Sequence, residues 1–136
     1  MINHNEKALW KMFSKFIRAR DADERGYCRC ISCSKIDNWK TFDAGHYQSV
    51  GSDRALKYNE VNVNAQCYSC NVMKSGNLIE YRYGLVHKYG EKIVKDLEIS
   101  HHFKTTKKKL IQSEINVMYD YYKKEFQKLE NLKNLY

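Results

Sequence analysis

Apolar residues in the first part of the chain recur at helical spacing. Leu9, Met12, Phe13, Phe16 and Ile17 share one face of a helix expected over residues 5–24, with Lys7, Lys11, Lys15 and Arg18 largely off that face. Gly26 ends it. Over residues 27–47 the period changes to short strands around a tight knuckle, and Trp39, Thr41 and Phe42 carry strand propensity into Asp43. Residues 48–59 read as a polar loop and 60–65 as a short return segment. Helical spacing resumes at Asn71 and runs through Leu78, Ile79, Tyr81, Arg82, Leu85 and Val86, and a second short helix is expected over 92–98, beyond Gly90.

The last third predicts a long helix over residues 106–135, with Ile111, Ile115, Met118, Tyr122, Leu129, Leu132 and Tyr136 along one stripe. At 1.5 Å of rise per residue it would span roughly 45 Å. The stripe is read as core packed on the N-terminal helix. A coiled-coil dimer is the competing reading, weakened by an irregular, tyrosine-rich heptad.

A formal net charge of +8 favours a polyanionic partner, nucleic acid before an acidic membrane surface, with a merely solvated basic surface as the plain alternative. The start of the chain is polar, and the apolar residues after it are interleaved with Lys and Arg, so no secretory signal is expected. No stretch approaches the ~18 apolar residues of a membrane span. The expectation is a cytoplasmic protein with no membrane partner. The chain has no proline, so breaks fall on glycine and polar clusters.

Five cysteines are present, an odd number, and in a reducing compartment their spacing favours metal over disulfide. Cys30-Ile-Ser-Cys33 and Cys67-Tyr-Ser-Cys70 are matched C-x-x-C pairs. Such pairs close a tetrahedral, structural zinc site. Cys28 is left over. It reads as a spare thiol, the alternative being that it replaces Cys30 as ligand. The chain then divides into an N-terminal helix over residues 1–26, a zinc-bound core over 27–77 and a helical part over 78–136, in one domain.

The residues between and after the pairs carry the candidate chemistry. Asp43 and His46 sit between the knuckles, and a neutral imidazole can take a proton from water near neutral pH. Residues three apart on a straight strand point to opposite faces, so a shared site calls for a bend, which Gly45 could supply. Asn62 reads as a loop staple. Asn71 directly follows the last cysteine, where its amide oxygen could ligate a hard divalent cation or cap a helix. Lys74, one turn on, suits a phosphate or is simply solvated. Lys104, Lys107, Lys108 and Lys109 crowd a helix N-terminus against its dipole, which points to a DNA backbone or to a solvated run. Arg54 and Lys57 are further candidates for backbone contact.

Taken together, Cys30-Ile-Ser-Cys33, Asp43-Ala-Gly-His46-Tyr47, Tyr58-Asn-Glu-Val-Asn62, Gln66-Cys67, Cys70-Asn71 and Lys74-Ser-Gly-Asn77 resemble the ββα-metal endonuclease pattern, also called HNH or His-Me finger. More specifically they resemble the NinG (Rap) family of lambdoid phages. The resemblance implies an α+β fold, a zinc-stapled ββα-metal core flanked by helices. It implies a recombination endonuclease that cuts branched DNA such as D-loops and Holliday junctions. His46 would be the general base, and Asn71 a ligand of a catalytic Mg²⁺ or Mn²⁺. Asp43 would be a second ligand or an orienting residue, and Asn62 completes the set. DNA is the implied partner, with a phage or host recombinase beside it, and symmetric cutting of two strands would call for a homodimer. Gly45 departs from the acidic residue or histidine that many such enzymes place before the base. A sequence-specific HNH nuclease and a non-catalytic zinc-stabilised DNA-binding protein are the rival readings.

Overall fold

The computed structural model describes residues 2–50, 54–102 and 109–135. Helix α1 (Glu6–Asp21) opens on Asn5, whose side chain accepts from Ala8 N at 2.8 Å, an N-cap that satisfies one orphan donor. Strands β1 (Tyr27–Arg29) and β2 (Ile36–Asn38) pair antiparallel, and so do β3 (Asp43–His46) and β4 (Val63–Gln66). A single π-type turn, Ser69–Met73, leads into α2 (Leu78–Tyr89) and α3 (Glu91–His102), and α4 (Gln112–Leu132) closes the chain.

The long helix folds back on the first one. Phe13 meets Tyr122 edge-on with centroids 4.8 Å apart, and Trp39 packs on Phe126 at 5.9 Å. Ile115, Tyr122 and Phe126 join Leu9, Phe13, Phe16 and Ile17 in one core, so the intramolecular reading of the stripe holds. Its ends differ: Ile111 and Leu132 are 62% and 77% exposed. Lys133 Nζ donates to the carbonyls of Ala19, Arg20 and Ala22, which α1 leaves without helical partners at its C-terminus.

The β3–β4 hairpin lies between α1 and α2. Strand β4 is buried along its whole length although it alternates polar and apolar residues. Val63 and Ala65 enter the α1 core, while Asn64 bonds Tyr81 of α2 and Gln66 bonds Gly76 O just before it. Burying the amide nitrogens is tolerable because each finds partners, whereas Gln66 Oε1 is buried with no partner among the described residues. Tyr81, fully buried, donates to Gly45 O at 2.7 Å. Asp21 accepts from Ala65 N at 2.8 Å and pairs with Arg20 and Lys88. Burial pushes the Asp21 pKa up, but these two cations pull it below the ordinary carboxylate value.

Several local expectations are corrected. Trp39–Thr41 is a 3-10 turn rather than strand, because Asn38 Oδ1 accepts from Lys40 N and Thr41 Oγ1 donates to Asn38 O. Those local bonds outweigh β propensity. Helix α2 starts at Leu78, not Asn71, because Ser75, Gly76 and Asn77 all have positive φ. Helix α4 opens at Gln112, with Glu114 accepting from Ile111 N. The exposed Lys109 therefore precedes the helix, while Lys104, Lys107 and Lys108 lie outside the described residues. No bulge occurs at Gly45, where β3 pairs in regular register with β4. Gly45 is needed for a different reason: a Cβ there would meet Gln66 Oε1 at 2.0 Å.

Among the described residues no helix is long and apolar enough to cross a membrane. Gly84 fixes how closely α2 approaches the first knuckle, since a Cβ would lie 1.9 Å from Ile31 O. Gly84→Ala is expected to destabilise the chain by at least the 1–3 kcal/mol, roughly, of an overpacked core, read as a lowered urea midpoint with unchanged slope. A wild-type midpoint would show that the helix is not held there.

Candidate metal centre and adjoining cleft

The first knuckle sits between β1 and β2, and the second follows β4 directly. The sulfur atoms of Cys30, Cys33, Cys67 and Cys70 all lie within 4.8 Å of one another, and Cys33 Sγ is 3.7 Å from Cys67 Sγ. Zinc–sulfur bonds of about 2.3 Å space tetrahedral thiolates by about 3.8 Å. The Cys33 and Cys67 N–H groups donate to Cys30 Sγ at 3.5 and 3.3 Å. Cys70 N–H donates to Cys67 Sγ at 3.5 Å, and Asn77 Nδ2 to Cys70 Sγ at 3.4 Å. Donors converging on sulfur offset the charge of buried thiolates. The four cysteines can hold a structural metal such as zinc. Cys28 stands apart: it is fully buried and donates its thiol hydrogen to Arg18 O at 3.2 Å. It is the spare thiol, and Cys30 keeps its place in the cluster.

Beside the second knuckle lies a cleft of about 650 Å³. Asp43 and His46 of β3 line it together with Asn71 of the π-type turn. Among the described residues no strand pairs with the outer edge of β3, and Asp43 and His46, three apart on it, line one cleft without a bulge. Asn71 Nδ2 donates to Asp43 Oδ2 at 3.0 Å. That bond fixes the Asn71 amide plane and leaves its Oδ1 and the second Asp43 oxygen as hard acceptors. Asn71 lies inside the π-type turn and α2 starts only at Leu78, so Asn71 is not the helix cap of the alternative reading.

His46 is half-buried, stacked on Trp10 with ring centroids 5.1 Å apart. Its Nε2 lies 3.0 Å from Lys57 O. A carbonyl only accepts, so Nε2 carries the hydrogen and Nδ1 keeps the lone pair of a base. Burial lowers the His46 pKa most strongly; the Lys57 carbonyl raises it part of the way and the Lys57 charge lowers it again. The imidazole is thus neutral near pH 7.

The other sequence candidates have distinct places. Asn62 is fully buried and donates to Gln48 O and Leu56 O while accepting from Gln48 N, so it staples the loop that delivers Lys57 O to His46. The Lys57 ammonium pairs with Glu6 at 3.2 Å. Lys74 is exposed at the end of the π-type turn. The side chain of Arg54 lies outside the described residues.

Sequence reading missed one wall of the cleft. Trp10, Ser14 and Arg18 of α1 line it, with Lys40 on the rim. They fall at i, i+4 and i+8, a non-aliphatic stripe alongside the apolar face, and that spacing was the available signal. A larger cavity of about 710 Å³ lies against Arg20, Asp21 and Lys88, and the charged groups of that trio are bonded to one another and to β4.

A model of the family described as Bacteriophage Lambda NinG protein matches residues 2–133. Protein ninG of Escherichia phage lambda is 38% identical over 95 residues, 70% of this chain and 44% of that protein. Protein ninG of Escherichia phage 933W is 37% identical over 95 residues, 70% of this chain and 45% of its own length. Protein ninG of Salmonella phage P22 is 37% identical over 95 residues, 70% of this chain and 44% of its own length. The matched region thus spans less than half of each of these relatives. No solved structure matches the chain.

Zinc bound at the cysteine cluster should supply much of the stability of the knuckles. Metal analysis is expected to give one zinc per chain, retained in Cys28→Ser and lost in Cys70→Ser. Chelation should lower the thermal midpoint, with Zn²⁺ and not Mg²⁺ restoring it. The His46 pKa lies below its ordinary 6.5, so as pH falls the unfolded chain takes up that proton first. Its contribution to stability is full above about pH 6.5 and is lost as pH falls through the folded-state value. Urea midpoints between about pH 7.5 and 5 should fall less steeply in His46→Gln than in wild type. Parallel slopes would show that His46 titrates as in the unfolded chain.

Proposed function

The chain belongs to the NinG family of lambdoid phages, and from that premise we propose that it is a metal-dependent endonuclease acting on branched DNA. The observation that carries this reading is the cleft in which Asp43, His46 and Asn71 meet. The hairpin β3–β4 followed by the turn bearing Asn71 supports a ββα-metal reading. Asp43 and Asn71 present a carboxylate and an amide oxygen, a donor set for Mg²⁺ or Mn²⁺ rather than for a soft metal. A divalent ion held there would act as a Lewis acid on the scissile phosphate and the departing oxygen.

His46 supplies the base. Its Nδ1 takes a proton from water as the water oxygen bonds to phosphorus and the bond from phosphorus to the deoxyribose oxygen breaks. The departing oxygen takes its proton from solvent. Lys57 O keeps the hydrogen of His46 on Nε2, and Trp10 holds the ring plane. Lys74 and Lys109 are the exposed members, among the described residues, of the predicted phosphate-binding set, and Lys57 is a half-buried one. Recognition of a branch would rest on shape and backbone contacts.

The test uses matched linear, D-loop and four-way-junction DNA with Mg²⁺, Mn²⁺ or EDTA. Wild type should cut branched DNA only with metal. His46→Ala should lose roughly 10²–10⁴-fold in cutting rate, with binding of the junction preserved. Binding without cutting in any metal would leave a zinc-held DNA-binding protein, with Asp43, His46 and Asn71 as structural residues.

A further inference from the structure

Arg18 lines the cleft that holds Asp43, His46 and Asn71, on the wall formed by α1. Its guanidinium is held from behind. Nε donates to Ser14 O at 3.2 Å and lies 3.3 Å from Ser14 Oγ, and the guanidinium carbon sits 5.4 Å from the Trp39 ring centroid. The backbone carrying it is fixed as well, because Arg18 O accepts from both Cys28 Sγ and Ala22 N. An arginine has five N–H donors in a rigid fork, and Nε uses one of them. Among the described residues the four on its terminal nitrogens have no hydrogen-bond partner in the fold.

Arg18 and Asp43 line the same cleft, yet no ion pair joins them among the described residues. An arginine and a carboxylate in one half-buried cleft ordinarily close a bidentate pair. Here Asp43 is engaged by Asn71 on one oxygen, and Arg18 is anchored on Ser14. The cleft thus combines a guanidinium with hard oxygen ligands. A phosphodiester fits that polarity, with one non-bridging oxygen toward the ligand pair and the other toward the fork.

We propose that Arg18 is a catalytic residue that binds the second non-bridging oxygen of the scissile phosphate through its terminal nitrogens, with Ser14 as its positioning residue. The proposal rests on the nuclease reading above. During attack, charge on the equatorial oxygens grows and the phosphorus flattens. A preorganised fork facing one of those oxygens therefore binds the transition state more tightly than the ground state. A lysine at the same position would keep the charge and lose the Ser14 anchor and the planar fork.

The experiment measures single-turnover cutting of a four-way junction by wild type, Arg18→Lys and Arg18→Ala, each with thermal midpoint and zinc content. The junction carries either a native phosphate or one of the two methylphosphonate diastereomers at the scissile position. On native DNA, Arg18→Ala is expected to lose about 10²-fold or more in rate, with junction affinity nearly unchanged. Arg18→Lys should recover only a part. On the diastereomer that removes the oxygen facing Arg18, wild type should fall by a similar factor and Arg18→Ala should fall no further. Arg18→Ala cutting at the wild-type rate would overturn the proposal. So would a loss equally large on native DNA and on both diastereomers, which would mark Arg18 as a support for Trp39. A wild type that cuts no DNA in either metal removes the nuclease reading itself, and this proposal with it. A wild type that cuts as well as its Arg18 variants removes only this one.

Discussion

Cys70 and Asn71 are adjacent, and that adjacency links the sulfur cluster to the cleft lined by Asp43, His46 and Asn71. A metal held by Cys30, Cys33, Cys67 and Cys70 would tie the turn after β4 to the knuckle between β1 and β2. The turn has π-type geometry, a form that recurs at functional sites, and it carries Asn71 to within 3.0 Å of the Asp43 carboxylate. Without that tie the turn would depend on a few backbone bonds, followed by three residues of positive φ. A metal in the sulfur cluster would thus fix the position of Asn71 beside Asp43, although the sulfur and oxygen sets share no atom.

The strongly basic composition divides into charges that hold the fold and charges that face outward. Arg20 and Lys88 are bound to Asp21 and Asn64, Lys57 to Glu6, Arg82 to Glu91 and Glu98, and Lys133 to the last carbonyls of α1. These cations stitch α1, β4, α2 and α4 together. Net charge alone therefore overstates the surface offered to a polyanion, and the exposed lysines near the cleft matter more than the total. Lys57 shows the distinction within one residue: its ammonium belongs to the fold, while its carbonyl sets the tautomer of His46.

The sequence made some of this legible through strong, local patterns. The C-x-x-C spacing identified the four cysteines whose sulfur atoms the fold brings together, and the helical period placed α1 and its packing against α4. The juxtaposition of Asp43, His46 and Asn71 was anticipated from their position around the knuckles, though through a kink at Gly45 that does not exist. Space for Gln66 explains that glycine instead. What stayed hidden depended on tertiary contact. The role of Trp10, Ser14 and Arg18 emerges only when α1 is laid along β3. The 3-10 turn at Trp39 arises from Asn38 and Thr41 hydrogen bonds that propensity does not register. Asn64 and Gln66 are buried because α2 and its lead-in cover them, a contact that no local pattern announces.

A sulfur cluster that holds Asn71 against Asp43 would make a hard-metal site beside His46. Paramagnetic Mn²⁺ added to the zinc-loaded chain, followed by NMR of the His46 and Trp10 side chains, tests it most directly. The account predicts saturable broadening of both rings from one site, abolished in Asp43→Ala without loss of zinc. Broadening scattered over exposed carboxylates and unchanged in Asp43→Ala would contradict it.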